Sequence, residues 1–522
     1  MNFRELKYLF GCAVLLSLGF PPFPFGFLAP VSIAVSLYFF QQMTEREGFR
    51  LGYWYGLFWG ATSLYWIAAS TVAGAILAVL INSFHFAILW SLFVSLRNRH
   101  PRASLVLFPF LWTGMEYLRN LSEFRFNWLS LPHTQTYYLP FIQFIEWTGP
   151  LGLTLLITTF GVLLYLMLMR PRWRVRGAVA ISLTVLLLLV YGYWRIYDLE
   201  KGKALLLRAG IVQPNVDPFE KWDPEFQEAA FNMLMKANRE LAPANPNLVV
   251  WPETATPFYL RARFSKLTAI KKWVDSTGIA LLTGTPDYVY PEGKEEYETY
   301  NAAFFFRPKH AGFEYHYKLT LVPGAEGMPY KKYLPLLSRI NIWGGDYSAG
   351  EEYTVFRFNP LLFRGRYAGG KWVRAEEKPE VREVGISTAI CFESVFHEVV
   401  RNFVKAGANV LTIITNDGWF GFTGGPYQHR QIAVLRAIEN RISIIRSANT
   451  GISCYILPSG KIIGEAALGV KKNLVADVPV TEKHTFFTKH GDIPGKISLI
   501  VLLGIVLIKL YVWVTQGVGK KG

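Results

Sequence analysis

The chain has 522 residues, 51% of them apolar, and a mean hydropathy of +0.22. That is more apolar surface than one soluble core needs, so two domains and membrane-crossing segments are expected. Its 54 basic and 38 acidic residues leave a net charge of +16, but they fall in short clusters between apolar runs and form no continuous basic stripe for nucleic acid. Three cysteines, Cys12, Cys391 and Cys454, are too few for a disulfide framework, and no CxxC or His/Cys cluster has zinc-ligand spacing, so neither a metal nor another cofactor is expected.

A basic start (Arg4, Lys7) before a short apolar run is also the pattern of a cleaved signal peptide, but no small-x-small site follows and the run meets PPFPFGF. Leu9-Phe10-Gly11-Cys12 does not make a lipoprotein signal box, because the apolar stretch lies mainly after the cysteine. The segment therefore reads as a retained first span. Apolar segments at 8–20, 26–41, 51–70, 72–96, 104–118, 149–169, 178–197 and 497–514 give eight predicted spans. With a cytoplasmic N-terminus, thirteen basic residues fall inside: Arg4, Lys7, Arg46, Arg50, three in RNRHPR (97–102), four in RPRWRVR (170–176), Lys520 and Lys521. Arg119 and Arg125 fall in the longest outside loop before the seventh span, so the asymmetry sets the orientation. Seven spans then deliver the 200–490 region to the outside, and the eighth returns the C-terminus, with Lys509 able to snorkel near its inner end.

Between 200 and 490 short β-branched or aliphatic runs alternate with helix-like stretches. ALLLRAGIVQ (204–213), NLVVWPE (247–253), GIALLTGTP (278–286), EVGISTAICFE (383–393), ANVLTIITND (408–417) and IIRSANTG (444–451) read as buried strands. FQEAAFNMLMKANREL and YQHRQIAVLRAIENR read as amphipathic helices, and the alternation implies a layered α/β fold with reactive groups at strand ends. The segment 360–380 shows no apolar period and reads as an inserted loop.

Cys391 follows the apolar strand VGISTAI and precedes FHEVVRNFVKAG, which predicts a strand-to-helix elbow whose N–H groups and helix dipole favour a thiolate. A core position is the commoner fate of a strand cysteine, but Glu393, Ser394 and His397 so close after it point to chemistry. Glu253 closes another strand in VVWPETATPF, where Pro252 stiffens the approach and Trp251 can partly desolvate the carboxylate, an environment that suits a general base. Lys318, in YHYKLTLVPGAEGMPY, is a cation that can pair with Glu253 or steady an oxyanion. Taken singly, a strand-end carboxylate is usually a cap and a lysine is usually solvated; their joint order and context make them specific.

WPE, the lysine of YHYKLTLVPGAE and the cysteine of ICFE, in that order, resemble the Glu–Lys–Cys triad of the nitrilase (carbon–nitrogen hydrolase) superfamily. With VQPNVDPFEKWDP, TNDGWFG, RSANTGIS and spans on both sides, the chain resembles the apolipoprotein N-acyltransferase family over nearly its whole length. The resemblance implies an α/β fold class with two parts, a multi-span helical membrane domain and a nitrilase-like α-β-β-α sandwich. The divisions expected are 1–200 (seven spans), 201–490 (extracytoplasmic catalytic domain) and 491–522 (last span and cytoplasmic tail). It implies Glu253 as general base, Lys318 as oxyanion-stabilising cation and Cys391 as nucleophile, and it marks Trp222, Glu326, Phe392 and Glu393 as tied to activity or substrate binding. Two departures, PGAE for the usual PFGE and Phe392 where tyrosine is common, bear on the acyl pocket and not on the triad.

The implied reaction is a ping-pong transfer of an acyl chain from a phospholipid, through a thioester, to the amine of a diacylated apolipoprotein. The implied setting is a monomer in a bacterial inner membrane with its catalytic domain in the periplasm. Trp419, in TNDGWFG, is a further substrate-binding candidate on a lipid-touching lip, although aromatics after a strand more often pack. Arg436, Glu439, Arg441 and Arg446 read as a buried ion network, His429 as structural and Cys454 as core. A membrane-anchored amidase of the same fold is the first rival, and seven spans are more than a hydrolase of soluble amides needs. A transporter is the second, and Glu116 and His85 are few ionisable groups for an ion pathway.

Overall fold

A computed structural model of the chain describes residues 3–293, 296–330, 333, 346–375 and 378–518. It forms two compact units, Met1–Gly192 with His490–Gly522, and Tyr193–Lys489.

In the first unit each apolar segment read from the sequence lies on a helix: Phe3–Ser17, Leu28–Phe40, Glu45–Leu64, Val72–Arg99, Pro101–Arg119, Pro150–Met169, Pro171–Glu200 and Ile493–Val518. Four of these, Val72–Arg99, Pro150–Met169, Pro171–Glu200 and Ile493–Thr515, are long and apolar enough to cross a bilayer. Leu183, Leu186, Leu187 and Val190 are each more than half exposed, apolar surface that fits a membrane-spanning helix. Gly48, Gly52, Gly56 and Gly60 recur every fourth residue and line one face of Glu45–Leu64. A Cβ on Gly56 would lie 2.7 Å from Ser83 Cα, so small residues let this helix lie directly against Val72–Arg99.

The stretch after Pro101–Arg119, read above as a loop, is packed. Arg119 is the last helical residue and is buried, its guanidinium donating to Leu129 O at 2.7 Å and Asn82 Oδ1 at 3.3 Å, and the 3-10 turn Leu131–Gln135 is buried throughout. Lys520 and Lys521 lie outside the described residues.

The second unit is two sheets face to face, with strands numbered in chain order. The first contains β1 (Lys203–Gln213), β2 (Leu248–Val250), β3 (Ala280–Val289), β4 (Glu298–Phe306), β5 (Glu314–Tyr317), β7 (Leu361–Ala368), β8 (Lys371–Arg374), β9 (Glu380–Val381) and β15 (Lys472–Pro479). Its order is β5–β4–β3–β2–β1–β7–β8, with β15 also along β1 and β9 along β7. The second runs β14 (Ile462–Ala466), β13 (Ser453–Ile456), β12 (Ser443–Ala448), β11 (Val410–Thr415), β10 (Val384–Ile390), β6 (Phe356–Phe358). Period-2 alternation sends Leu205, Leu207, Ala209 and Ile211 of β1 into the core between the sheets, where they share a cluster with Ile386, Val410 and Ile445. The other face of the first sheet, with Val249, Leu281 and Phe304, packs on the helices Pro224–Leu241 and Phe264–Thr277. His397–Lys405 and Gly425–Asn440 pack on the second sheet, completing an α-β-β-α sandwich of the nitrilase-like type.

The segment 360–380 is not a loop. It holds the hairpin β7–β8, which turns at Gly369-Gly370 with both φ angles positive (57° and 80°), a two-residue connection that glycine pairs favour. β1, β2 and β3 pair in parallel, as do β10, β11 and β12. The segments carrying Glu253, Cys391 and Asn416 follow the carboxyl ends of β2, β10 and β11.

Candidate active site

Each triad candidate sits where its strand has just ended. Beyond β2 the chain runs through Trp251, Pro252, Glu253 and Thr254, and Gly284 of β3 receives it: Gly284 N–H donates to Pro252 O at 3.1 Å and Gly284 O accepts from Ala255 N–H at 2.9 Å. A Cβ at Gly284 would fall 2.6 Å from Glu253 Cα, so only glycine lets the backbones approach this closely. Glu253 is buried; its Oε1 accepts from Asn301 Nδ2 at 2.8 Å and its Oε2 from the Asn416 backbone N–H at 2.9 Å.

Lys318 follows β5 and is 1% exposed. Its backbone N–H donates to Asn301 O at 2.9 Å, and its Nζ lies 2.8 Å from Glu326 Oε1 and 3.6 Å from Glu253 Oε1. Burial opposes the ammonium, but the Glu326 and Glu253 carboxylates outweigh it and hold the lysine pKa well above its ordinary range. Glu326 also accepts from Asn301 Nδ2 at 3.0 Å and, through Oε2, from Val322 N–H at 2.9 Å. Asn301 thus bridges both carboxylates, a role that nothing in its sequence context announced.

Cys391 is the first residue after β10, with φ +51° at the start of a five-residue 3-10 turn, Cys391–Val395. It remains partly exposed, whereas Cys12 and Cys454 are buried. The elbow does not favour a resting thiolate as expected: burial, then the Glu253 charge, push the thiol well up, and Lys318 only partly counters them. A 3-10 turn this short supplies little dipole, so the thiol needs a base.

Glu393 and Phe392, both marked as substrate-binding candidates, turn inward. Glu393 has no exposed surface, and its carboxylate accepts from the backbone N–H groups of Leu319, Thr320 (3.2 Å) and Ile390 (2.6 Å). It ties the residues just after Lys318 to the Cys391 elbow, so its placement is that of a positioning group. Phe392 is 4% exposed and meets Phe396 edge to face at 4.9 Å. Trp222 is 39% exposed and Phe219 67% exposed; Phe219 meets half-buried Trp419 edge to face at 5.0 Å. In this Phe219–Trp419 pair Trp419 is both packed and partly exposed.

His429 has no exposed surface. With Asp417 it supports the elbow: Asp417 Oδ1 lies 2.8 Å from His429 Nδ1, and His429 Nε2 lies 2.8 Å from Ser394 Oγ and 3.2 Å from Cys391 O. Arg446 pairs with Asp417 at 2.6 Å, whereas Arg436 pairs with Glu439 at 2.8 Å and Arg441 donates to Pro458 O. Asp417 lies in TNDGWFG, where the aromatic residues are the stronger sequence signal. Lys221, also missed, is 3% exposed and donates to both Oγ1 and O (3.3 Å) of Thr254, the residue after Glu253, whose φ of +44° is strained for a β-branched side chain. Among the described residues no group of three or more His, Cys, Asp and Glu could hold a metal ion.

Residues 12–163 match the model of the apolipoprotein N-acyltransferase N-terminal domain family, and residues 208–483 match that of the carbon-nitrogen hydrolase family. The apolipoprotein N-acyltransferase of Chlorobaculum tepidum is 30% identical over 514 residues, 93% of each chain. That of Geobacter metallireducens is 31% identical over 497 residues, 92% of this chain and 90% of the relative. A solved nitrilase-superfamily structure from Saccharomyces cerevisiae is 17% identical, covering 53% of this chain and 90% of that one with a TM-score of 0.36.

Two predictions follow from this geometry. Gly284→Ala changes no triad residue but pushes the Glu253 backbone, and its carboxylate with it, aside, and since a misplacement of about 1 Å can cost ~100-fold, covalent labelling of Cys391 by an acyl donor should slow by about that factor. An unchanged labelling rate would refute the close-approach argument. Lys221 is pulled by burial from 10.5 down to about 8, so between those values the unfolded chain holds a proton that the folded one has released, and the contribution of this group to stability rises with pH in that window. Lys221→Met should abolish the rise: the gap between wild-type and variant thermal midpoints should shift in favour of wild type from pH 8 to pH 10, and parallel curves would count against it.

Proposed function

Since the chain belongs to the apolipoprotein N-acyltransferase family, we propose that it carries an acyl chain from a membrane phospholipid, through a thioester on Cys391, to the N-terminal amine of a diacylglyceryl-cysteine lipoprotein. The observation that carries this reading is the Lys318 ammonium set between Glu326 at 2.8 Å and Glu253 at 3.6 Å, beside a nucleophile candidate whose thiol must lose its proton. Glu253 takes that proton. The thiolate attacks the ester carbonyl, Lys318 steadies the tetrahedral oxyanion, and the C–O bond breaks as the lysophospholipid alkoxide leaves with a proton from Glu253. The lipoprotein amine then attacks the thioester, Glu253 accepts the amine proton, and the Cys391 sulfur leaves and is reprotonated. Trp222, Trp419 and Glu326 border the entry of the lipid substrates, while Phe392 and Glu393 set the geometry behind the nucleophile. An amidase using water would have no use for a lipid-exposed N-terminal half that matches an acyltransferase family.

The same reading takes all eight helices that carry the apolar segments as spans of a bacterial inner membrane and divides the chain at 1–200, 201–490 and 491–522, with the middle part in the periplasm and the protein a monomer. Basic residues support the orientation. With Arg119 buried on its helix, Arg125 alone remains of the two outside basic residues, and Lys509 pairs with Glu45, which begins the helix carrying Arg46 and Arg50.

Thioester trapping with labelled phospholipid, followed by a chase with diacylated lipopeptide, tests the chemistry. Cys391→Ala should trap nothing, and Glu253→Gln and Lys318→Met should each slow trapping by ~100- to 1,000-fold. Normal trapping in Glu253→Gln would assign the base to another residue. For orientation, alkaline phosphatase fused near residue 300 should be active. An inactive fusion, with a cytoplasmic reporter active at the same place, would reverse the topology.

A further inference from the structure

The N-terminal unit contains a cavity of about 520 Å3 built between the helices Pro101–Arg119 and Pro150–Met169 and the start of Pro171–Glu200. Its volume is that of a site for a small amphiphile. One end is cationic: Arg102 stands at the start of the first helix, Arg170 caps the second and Arg172 opens the third. None of the three has an ion-pair partner among the described residues. Away from this mouth the walls run along Leu105 to Phe110 on one helix and back from Leu166 to Leu155 on the other, with Thr159 the one polar side chain between. From Leu155 to Leu166 the helix rises about 16 Å, so an apolar trench of about that length leads away from the end lined by the three arginines. Trp173 borders the mouth, where an indole suits the boundary between headgroups and hydrocarbon.

A cationic mouth on a chain-length apolar trench is complementary to one kind of molecule. Free phosphate would leave the trench empty, and a fatty chain without a phosphate would leave three uncompensated charges. A zwitterionic headgroup would add an ammonium among the arginines. We propose that this trench is a binding site for a membrane phospholipid with an anionic headgroup, its phosphate forked by Arg102, Arg170 and Arg172 and one acyl chain lying between the two helices. All lining residues belong to the N-terminal unit, and none is among those assigned to acyl transfer. The site does not depend on that reaction. Basic pockets between spanning helices select anionic headgroups by charge, and the planar guanidinium offers two parallel donors to a phosphate.

Basic residues near a membrane also act through charge alone, so the test separates a seated lipid from surface attraction. The full-length protein is purified, delipidated and exchanged with equimolar phosphatidylglycerol and phosphatidylethanolamine, and the lipid retained is measured by native mass spectrometry. Wild type should retain about one phosphatidylglycerol in preference to phosphatidylethanolamine. Each arginine removed should cost about fivefold, so the triple Arg102→Gln, Arg170→Gln, Arg172→Gln variant should lose roughly a hundredfold in that preference. Leu163→Trp, which fills the trench and keeps all three charges, should lose retention as well, and the triple arginine-to-lysine variant should lose part of it. A cooperative thermal transition and a monodisperse elution profile of the same preparations identify folded protein. Wild-type retention by Leu163→Trp would reduce the effect to surface charge and overturn the proposal, as would an undiminished preference in the triple glutamine variant.

Discussion

Lys318 places a full positive charge where water does not reach it, and the two carboxylates at 2.8 and 3.6 Å offset what that burial costs. Much of the catalytic unit is arranged around this ammonium. β5 ends beside it, Asn301 of β4 spans its two partners, and Glu393 fastens the next two residues of its loop to the nucleophile elbow. Such a cluster cannot lose one member cheaply, because each removal strands a buried charge. It also bears on the proposed proton transfer. Two carboxylates, one ammonium and a neutral thiol sum to the same charge as one carboxylate, one protonated carboxyl, the ammonium and a thiolate. The step from Cys391 to Glu253 therefore moves charge within the site and buries none anew, which is how a thiol held well above its ordinary pKa can still supply a nucleophile.

Backbone strain marks the same residues. Cys391 and Thr254 both take positive φ, a conformation costly for residues with a side chain, and each is held by several bonds: Cys391 O accepts from Ser394 and lies within reach of His429, while Thr254 is grasped by Lys221. Strain persists where surrounding contacts over-determine it. Here those contacts come from different elements, its own 3-10 turn and the helix Gly425–Asn440 for Cys391 and the turn carrying Trp222 for Thr254, so the proposed base and nucleophile are held independently.

The sandwich was legible in the sequence because most of its strands read as short aliphatic runs, and Glu253 and Cys391 stood out because each follows such a run, whereas Lys318 stood out by its aromatic-flanked context and its order between them. The hairpin at 361–374 was missed although Gly369-Gly370 is a strong turn signal: its residues, half exposed on an outlying strand pair, show no clean alternation of apolar and polar positions. Glu393 was read toward substrate because sequence proximity to a nucleophile says nothing of which way a side chain turns, and its partners lie 73 and 74 residues away. Asn301 and Lys221 had no local signature at all. Both act by reaching across strands or loops that only the tertiary fold brings together, and a lysine beside an exposed tryptophan looks solvated until its burial is known.

Glu116 is buried in the helix Pro101–Arg119, and its carboxyl accepts from Trp112 Nε1, Ser130 Oγ, the Leu131 N–H and Thr154 Oγ1 at 2.6–3.0 Å. Only the first of these donors is on its own helix. A buried carboxyl left without those partners would cost several kcal/mol. During synthesis the helix is complete while Thr154, 38 residues further on, is still inside the ribosome. Most of the donors that satisfy Glu116 are therefore made after its own helix, so the helix Pro101–Arg119 reaches its final packing only together with the helix Pro150–Met169 and the segment that joins them.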